Sequence, residues 1–477
     1  MRNSRFYKRQ TKIVCTIGPA SNTAAVVERL ITAGMNVARL NLAHGTSGEH
    51  KSSIQIIRRV GKRLGRAVAI LVDLPGPKYR IGKLDGGQVT LKRGAEVTFT
   101  SRQVVGNASL VPVTLPNLAQ DVRVGDTIVL DDGAMRLKVL GKEGYGVRCR
   151  VLVGGILTER RGLAVPGMRS SLPFVSDSLR EQVIFAIKQK ADYLAISFVS
   201  SAEDVDSVRA LIKNQGARIP IIAKIERGAA VTDFDSILAV SDGIMVARGD
   251  LGVDIPLERV PVVQKEIIRE CNRVGKPVIT ATQMLESMVN SPSPTRAEVA
   301  DVANAIFDGT DATMLSGETA IGKYPVPAVK IMARVAEEAE KKLPFDEILL
   351  ERGRWLEQKT EELISYNACY TAYSLNAKAI VALTQSGSTA GRVSKYRPRV
   401  PVLAITPDST VAGRLLLYWG VYPFQTEAQL SVEELFATGA RLVKELGLAK
   451  SGDLIVITGG IPVGVVGSTN LLKVEQI

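Results

Sequence analysis

The sequence predicts an α/β protein: a (β/α)8 TIM barrel, interrupted after its third strand by an inserted all-β lid domain and followed by a C-terminal α/β domain. Three observations carry that expectation. Short apolar, β-branched runs alternate with amphipathic stretches, the rhythm of parallel strands joined by crossover helices. The rhythm breaks off over residues 75–171, where Gly-rich turns separate short alternating segments. It then resumes, and a second α/β pattern begins beyond Pro344.

In chain order, the expected barrel strands are residues 12–18, 37–42, 68–74, 192–199, 220–226, 243–250, 277–283 and 312–318. Helical periodicity marks residues 23–33, 179–190, 204–214, 261–274 and 295–307 between them. Eight such units close a barrel whose site lies where the strands end. The interruption holds candidate strands at 88–91, 96–100, 127–130, 135–140 and 147–153. Its entry, Pro75-Gly76-Pro77, and its exit, Val165-Pro166-Gly167, read as hinges of a β-barrel lid over the mouth. A helix over 330–341 stops before Pro344, and strands at 379–384, 402–406 and 453–458 follow. The expected domains are residues 1–74 with 172–345, residues 75–171, and residues 346–477.

Composition narrows the function. With 45% hydrophobic and 23% charged residues the chain has ample core. No run of apolar residues is long enough to span a membrane, and the basic, polar stretch 1–12 lacks a signal-peptide core. A cytoplasmic protein is expected. Cys15, Cys149, Cys271 and Cys369 lie too far apart for metal-ligand spacing and suit free thiols. His44 and His50 are the only histidines, which leaves little for a His base or a His-rich metal site. The net charge of +13 is spread along the chain, with no basic tail and only 5% aromatic residues. That fits small polyanionic substrates better than nucleic acid.

The late strand ends gather polar groups. Strand five ends with Lys224 and Glu226, two apart and so on one face. Strand six ends Arg248-Gly249-Asp250, strand seven Thr280-Ala281-Thr282-Gln283, and strand eight Ser316-Gly317-Glu318. The carboxylates of Glu226 and Asp250 suit a hard divalent cation such as Mg²⁺ or Mn²⁺. On strand two Arg39 and Asn41 share a face, and an arginine fork beside a metal suits a phosphate.

These residues sit in long motifs. The runs TKIVCTIGPAS (11–21), MNVARLN (35–41), SDGIMVARGDLG (241–252), ATQMLESM (281–288) and MLSGETA (314–320) resemble those of the pyruvate kinases, and the resemblance covers the whole chain. It implies transfer of a phosphoryl group from phosphoenolpyruvate to ADP. Glu226 and Asp250 are then the metal ligands, and Lys224 lies against the moving phosphoryl group and the enolate oxygen. Arg39 holds phosphate, Thr282 lies near the substrate carboxylate and the methylene that is protonated, and the amides of Gly249 and Asp250 receive the carboxylate. Asn41, Arg80 and Arg161 serve the nucleotide, Arg161 standing where the family usually has a lysine. The resemblance also implies a homotetramer.

Departures from the family pattern are informative. Many members bind K⁺ through an Asn, a Ser, an Asp and a Thr; the matching positions here are Asn41, Ala43, Asp73 and Leu74. Lys78 replaces a glutamate, and its ammonium is expected to stand in for K⁺ beside Asp73, making activity independent of K⁺. In the C-terminal domain Thr384, Ser386, Gly387, Ser388 and Thr389 resemble the effector-phosphate loop. Gln385 and Ser388 replace its usual basic neighbours, and the tail 459–464 lacks the Trp and Arg of fructose-1,6-bisphosphate-responsive members, which favours a monophosphate effector. Ala164 replaces a usual asparagine and leaves nucleotide preference open. A lyase on the same barrel needs no nucleotide lid, and a retired scaffold that binds RNA has no use for the intact polar cluster.

Overall fold

The computed structural model describes residues 9–168, 170–427, 431–462 and 467–477. Residues 1–8 of the basic N-terminal stretch, and Val463 and Gly464 of the tail, lie outside the described residues. Eight parallel strands close on themselves: β1 (Lys12–Thr16), β2 (Val37–Asn41), β3 (Ala69–Leu74), β4 (Tyr193–Ile196), β5 (Ile221–Ile225), β6 (Gly243–Ala247), β7 (Val278–Ala281) and β8 (Ala312–Leu315). They pair in sequence order, with β8 returning to β1. Both faces of each strand are covered, as a parallel sheet requires. One face packs on the helical ring through residues such as Ile13, Leu40, Val72, Leu194 and Val246. The other fills the barrel with Val14, Val37, Leu71, Tyr193, Ile222, Met245, Ile279 and Met314.

Every barrel strand but β3 ends sooner than the sequence suggests, and two of them run directly into short helices. Residues 243–250 were expected to be extended, but β6 stops at Ala247 and Arg248–Asp254 turns into a short helix. Likewise β8 stops at Leu315, and Gly317–Ala320 is helical. Beyond the last barrel pairings at Ala247 and Leu315 the sequence turns polar and Gly-bearing, Arg248-Gly249-Asp250 and Ser316-Gly317-Glu318, and the chain leaves the sheet there. Gly249, Asp250 and Glu318 therefore sit on first helical turns rather than on strands.

The insertion leaves the barrel after β3. Gly76 crosses so close to the backbone after β4 that a Cβ there would meet the Ser197 carbonyl oxygen at 2.2 Å. The inserted segment forms a seven-stranded sheet and a two-stranded one. The edges of the larger sheet, Tyr79–Arg80 and Leu110–Pro112, approach through the Ile81–Val113 bridge. Its core is separate, built on Phe99, Ile128, Leu137, Val147 and Leu157.

Beyond the barrel a five-stranded sheet forms from Ile380–Leu383, Val402–Thr406, Val421–Gln425, Leu454–Gly459 and Leu471–Gln476. Two of these strands are absent from the sequence reading. Val421–Gln425 contains Pro423, and Leu471–Gln476 mixes polar and apolar residues; both are edge strands, where such sequences are tolerated. This domain caps the bottom of the barrel. Leu416 and Leu417 join the barrel's interior cluster. Lys12 Nζ donates to the Val421 carbonyl at 2.7 Å, and Arg397 pairs with Asp311 at 2.6 Å, both side chains 5% exposed.

Removing one partner of such a buried pair strands the other's charge. Asp311→Ala is expected to cost on the order of 3–5 kcal/mol, seen as a clear drop in the thermal unfolding midpoint. An unchanged midpoint would show that the Asp311–Arg397 pair does not hold the two domains together.

Candidate active site

The site is organised by Asp73, the penultimate residue of β3, which is 1% exposed. One carboxylate oxygen accepts Arg39 Nε from β2 at 2.7 Å. The other accepts Lys224 Nζ from β5 and Ser197 Oγ from the turn after β4, each at 3.3 Å. Burial alone would raise the Asp73 carboxyl, but the charges of Lys224 and Arg39 outweigh it and hold it below the usual carboxylate range. Arg39 is braced further by Thr16 Oγ1 at 2.9 Å.

Lys224 completes its shell with Ser197 Oγ at 2.8 Å and Glu226 Oε1 at 2.9 Å. Burial favours a neutral amine, yet Asp73 and Glu226 reverse that effect and raise its pKa, so it is a fixed ammonium. Glu226 also accepts the Phe198 amide at 2.7 Å. Phe198 has a φ of +61°, a left-handed conformation costly for an aromatic residue. Burial first, with the neighbouring Asp250 adding to it, raises the Glu226 carboxyl despite Lys224.

Lys78 is where the structure corrects the sequence reading. Its ammonium does not reach Asp73, which is partnered by Arg39 and Lys224. It bonds Asp250 Oδ1 at 2.7 Å and lies 5.1 Å from the centre of the Phe198 ring. Residue spacing placed Lys78 near Asp73, but the chain turns away at Gly76 and carries Lys78 across the mouth to β6. Lys78, Phe198, Glu226, Asp250 and Ala164 line a cavity of about 40 Å³ between barrel and insert. Among the described residues no group of three or more His, Cys, Asp or Glu side chains converges to hold a metal. Glu226 and Asp250 could supply two hard oxygens, with the remainder coming from substrate or water.

Thr282 follows β7 with a φ of +68°, and Gln283 with +54°. Its hydroxyl donates to Ala281 O at 2.6 Å and accepts the Gly249 amide at 2.8 Å. The Gly249 N–H, expected to be open for a carboxylate, is thus already engaged by Thr282. Glu318 turns from the mouth to accept the amides of Ser316 and Leu285. Asn41 Oδ1 accepts the Ala43 amide at 3.1 Å.

The more distant candidates are not drawn into this cluster. Arg80 donates to Arg160 O at 3.1 Å, and Arg161 pairs with Asp131 at 3.0 Å, both within the insert. The loop from Thr384 to Thr389 is a local nest: Thr384 Oγ1 accepts the Gly387 amide at 2.9 Å, and Ser386 Oγ donates to Ser388 Oγ at 3.1 Å. Thr389 shares a hydrogen bond of 2.8 Å with Thr469. Ser386, Gly387 and Ser388 face a cleft of about 700 Å³ that Arg392, Arg414 and the barrel's Lys276 also line. Sequence reasoning missed Ser197 and Phe198, which no motif marks.

A barrel mouth that sets a buried ammonium and an arginine fork beside the carboxylates of Glu226 and Asp250 is built to neutralise a phosphoryl group, the work of a phosphotransferase. Comparison with known proteins narrows the class. The family model "Pyruvate kinase, barrel domain" matches residues 8–329, and "Pyruvate kinase, alpha/beta domain" matches residues 362–475. The chain belongs to the pyruvate kinase family. It is 46% identical over 471 residues to pyruvate kinases of Staphylococcus aureus strains MRSA252 and USA300, covering 98% of this chain and 80% of theirs. The crystal structure of a pyruvate kinase from Cryptosporidium parvum superposes with a TM-score of 0.93 at 38% identity, covering 99% of this chain and 97% of that one.

The depressed Asp73 carboxyl gives a signed prediction. A carboxyl held below its unfolded value stabilises the fold above that value and loses the contribution as pH falls. At pH 7, Asp73→Asn is expected to cost on the order of 3–5 kcal/mol by stranding Arg39 and Lys224. The gap to wild type should narrow below about pH 4. Urea unfolding at both pH values checks this; a gap independent of pH would contradict the pairing.

Proposed function

We propose that this chain transfers the phosphoryl group of phosphoenolpyruvate to ADP, giving pyruvate and ATP, with Mg²⁺ or Mn²⁺ as cofactor. The observation that carries the reading is the Lys224 ammonium, fixed by Asp73, Ser197 and Glu226 beside the Arg39 guanidinium. Phosphoryl transfer asks for charge neutralised across oxygens and little covalent chemistry. Lys224 and Arg39 meet the phosphate oxygens, and Lys224 also meets the oxygen of the enolate as it is released. Glu226 and Asp250 fit a divalent cation: their oxygens are hard donors, and the charge of Asp250 destabilises that of buried Glu226 in its absence. Such an ion supplies Lewis-acid polarisation of bound oxygens. Thr282 and the Asp250 amide on the first turn hold the carboxylate end, and Thr282 places a hydroxyl near the carbon to be protonated. Arg80, Arg161 and Asn41 serve the nucleotide, and the insert acts as a lid.

Three finer features belong to the same proposal. The enzyme works without K⁺, because Ala43 and Leu74 carry no side-chain oxygen and Lys78 gives the mouth a permanent positive charge at Asp250. A phosphorylated metabolite, preferably a monophosphate, activates it through the loop of Thr384, Ser386, Gly387, Ser388 and Thr389. The chain assembles as a homotetramer. Its helix Thr360–Ser374 buries Ala368, Cys369 and Ala372 yet exposes Leu363, Tyr370 and Tyr373, an apolar surface suited to a second copy.

Lys224→Met should lower kcat for pyruvate formation by about 10³-fold, roughly 4 kcal/mol of barrier, with a much smaller change in KM. Near-normal turnover in the folded variant would remove Lys224 from the chemistry. In assays at matched ionic strength, K⁺ and tetramethylammonium should support similar turnover. Stimulation by K⁺ of about tenfold or more, over 1.4 kcal/mol, would show that Lys78 does not replace the ion.

A further inference from the structure

The sequence places Arg248 among the polar groups at the strand ends without a role, yet its surroundings are among the most specific in the barrel. Its guanidinium, 11% exposed, is clamped on one side by Asp301 of the helix Arg296–Phe307, with both Nη1–Oδ1 and Nη2–Oδ2 at 2.7 Å. Gln264 Oε1 lies 3.4 Å from Nη1. The same guanidinium donates to three successive carbonyl oxygens beyond β7: Ala281 at 3.4 Å from Nε, Thr282 at 2.8 Å from Nη2, and Gln283 at 3.4 Å from Nη2. Nη2 also lies 2.9 Å from the Met284 sulfur.

Successive carbonyls of an extended chain point in alternate directions, so one donor group cannot collect three of them. Here Thr282 and Gln283 both have positive φ, and that is what turns the carbonyls toward Arg248. A β-branched residue avoids the left-handed region and stays there only when its surroundings over-determine it. The Arg248 fork is that determinant. Lysine, a point charge, cannot meet a carboxylate on one edge and carbonyls on the other. The consequence falls on the Thr282 hydroxyl, which is brought against the Gly249 amide at the mouth.

We propose that Arg248 and Asp301 are positioning residues for proton transfer to the enolate carbon, holding Thr282 in its left-handed conformation so that its hydroxyl faces the reacting carbon. This rests on the reading of Thr282 given above. Neither residue touches substrate, and phosphoryl transfer, centred on Lys224 and Arg39 across the mouth, depends on them far less.

The two half-reactions separate experimentally in the full-length enzyme with Mg²⁺. Single-turnover ATP formation from phosphoenolpyruvate and ADP reports phosphoryl transfer. Exchange of the pyruvate methyl protons into D₂O in the presence of ATP, followed by proton NMR, reports proton transfer. In that exchange a methyl C–H bond breaks, its electron pair enters the enolate, the proton leaves to solvent, and a deuteron reverses the step. Arg248→Lys keeps the charge and loses the fork; Asp301→Asn keeps the shape and loses the clamp. Each should slow exchange by about ten- to a hundredfold, while ATP formation and the KM for phosphoenolpyruvate change by less than about threefold. Thr282→Ala should slow exchange at least as strongly. Exchange left intact in both variants, with Thr282→Ala impaired, overturns the positioning role alone. Equal losses in both half-reactions overturn it as general damage. Exchange intact in Thr282→Ala overturns the reading of Thr282 on which the inference stands.

Discussion

Everything at the barrel mouth depends on the buried carboxylate of Asp73. An ionised carboxylate removed from water costs several kcal/mol unless opposite charge and hydrogen bonds replace the solvent. Its replacements come from three other parts of the barrel: Arg39 on β2, Ser197 after β4 and Lys224 on β5. Closing the barrel in the correct register and assembling the site are therefore one event. Asn41 stands opposite Asp73, and Asp73 opposite Ala195, in the parallel ladders. A slip of one residue would turn Asp73 toward the helical ring, where no cation waits.

From that centre the charges spread in alternation. Asp73 fixes Lys224, Lys224 holds Glu226, and beyond Glu226 the next acid, Asp250, is met by Lys78 from the insert. The insert is thus tied to the barrel by an ion pair at the site as well as by its two chain crossings. At the opposite end Leu416 and Leu417 close the barrel floor, and Asp311 receives Arg397. The C-terminal domain consequently packs on the strands whose far ends carry the site, a direct mechanical route between the two ends.

The fold was largely legible because barrel strands buried on both faces read as apolar runs such as AILV at the start of β3 and GIMVA in β6. Their ends were less legible. Arg248, Gly249 and Asp250 break the apolar run after Ala247, but residue type alone does not show that Arg248 begins a helix. Of the candidates on strand ends, Arg39, Lys224 and Glu226 converge about Asp73, and Gly249 meets Thr282, whereas Glu318 turns from the mouth. What escaped was non-local. Lys78 follows Asp73 closely in sequence yet serves Asp250, because Gly76 redirects the chain. Ser197 and Phe198 carry no motif, and the left-handed φ of Phe198 and Thr282 leaves no trace in residue type. Edge strands such as Val421–Gln425 were missed because an edge tolerates the proline that argues against a strand.

The central claim is that the paired acids and ammonium at the mouth form one phosphoryl-transfer centre. Mn²⁺ binding measured directly by electron paramagnetic resonance, with phosphoenolpyruvate present, tests it most plainly. Glu226→Gln and Asp250→Asn should each weaken Mn²⁺ binding by about tenfold or more, since each removes an anionic oxygen ligand. Titrations of both variants that overlay the wild type would contradict the account.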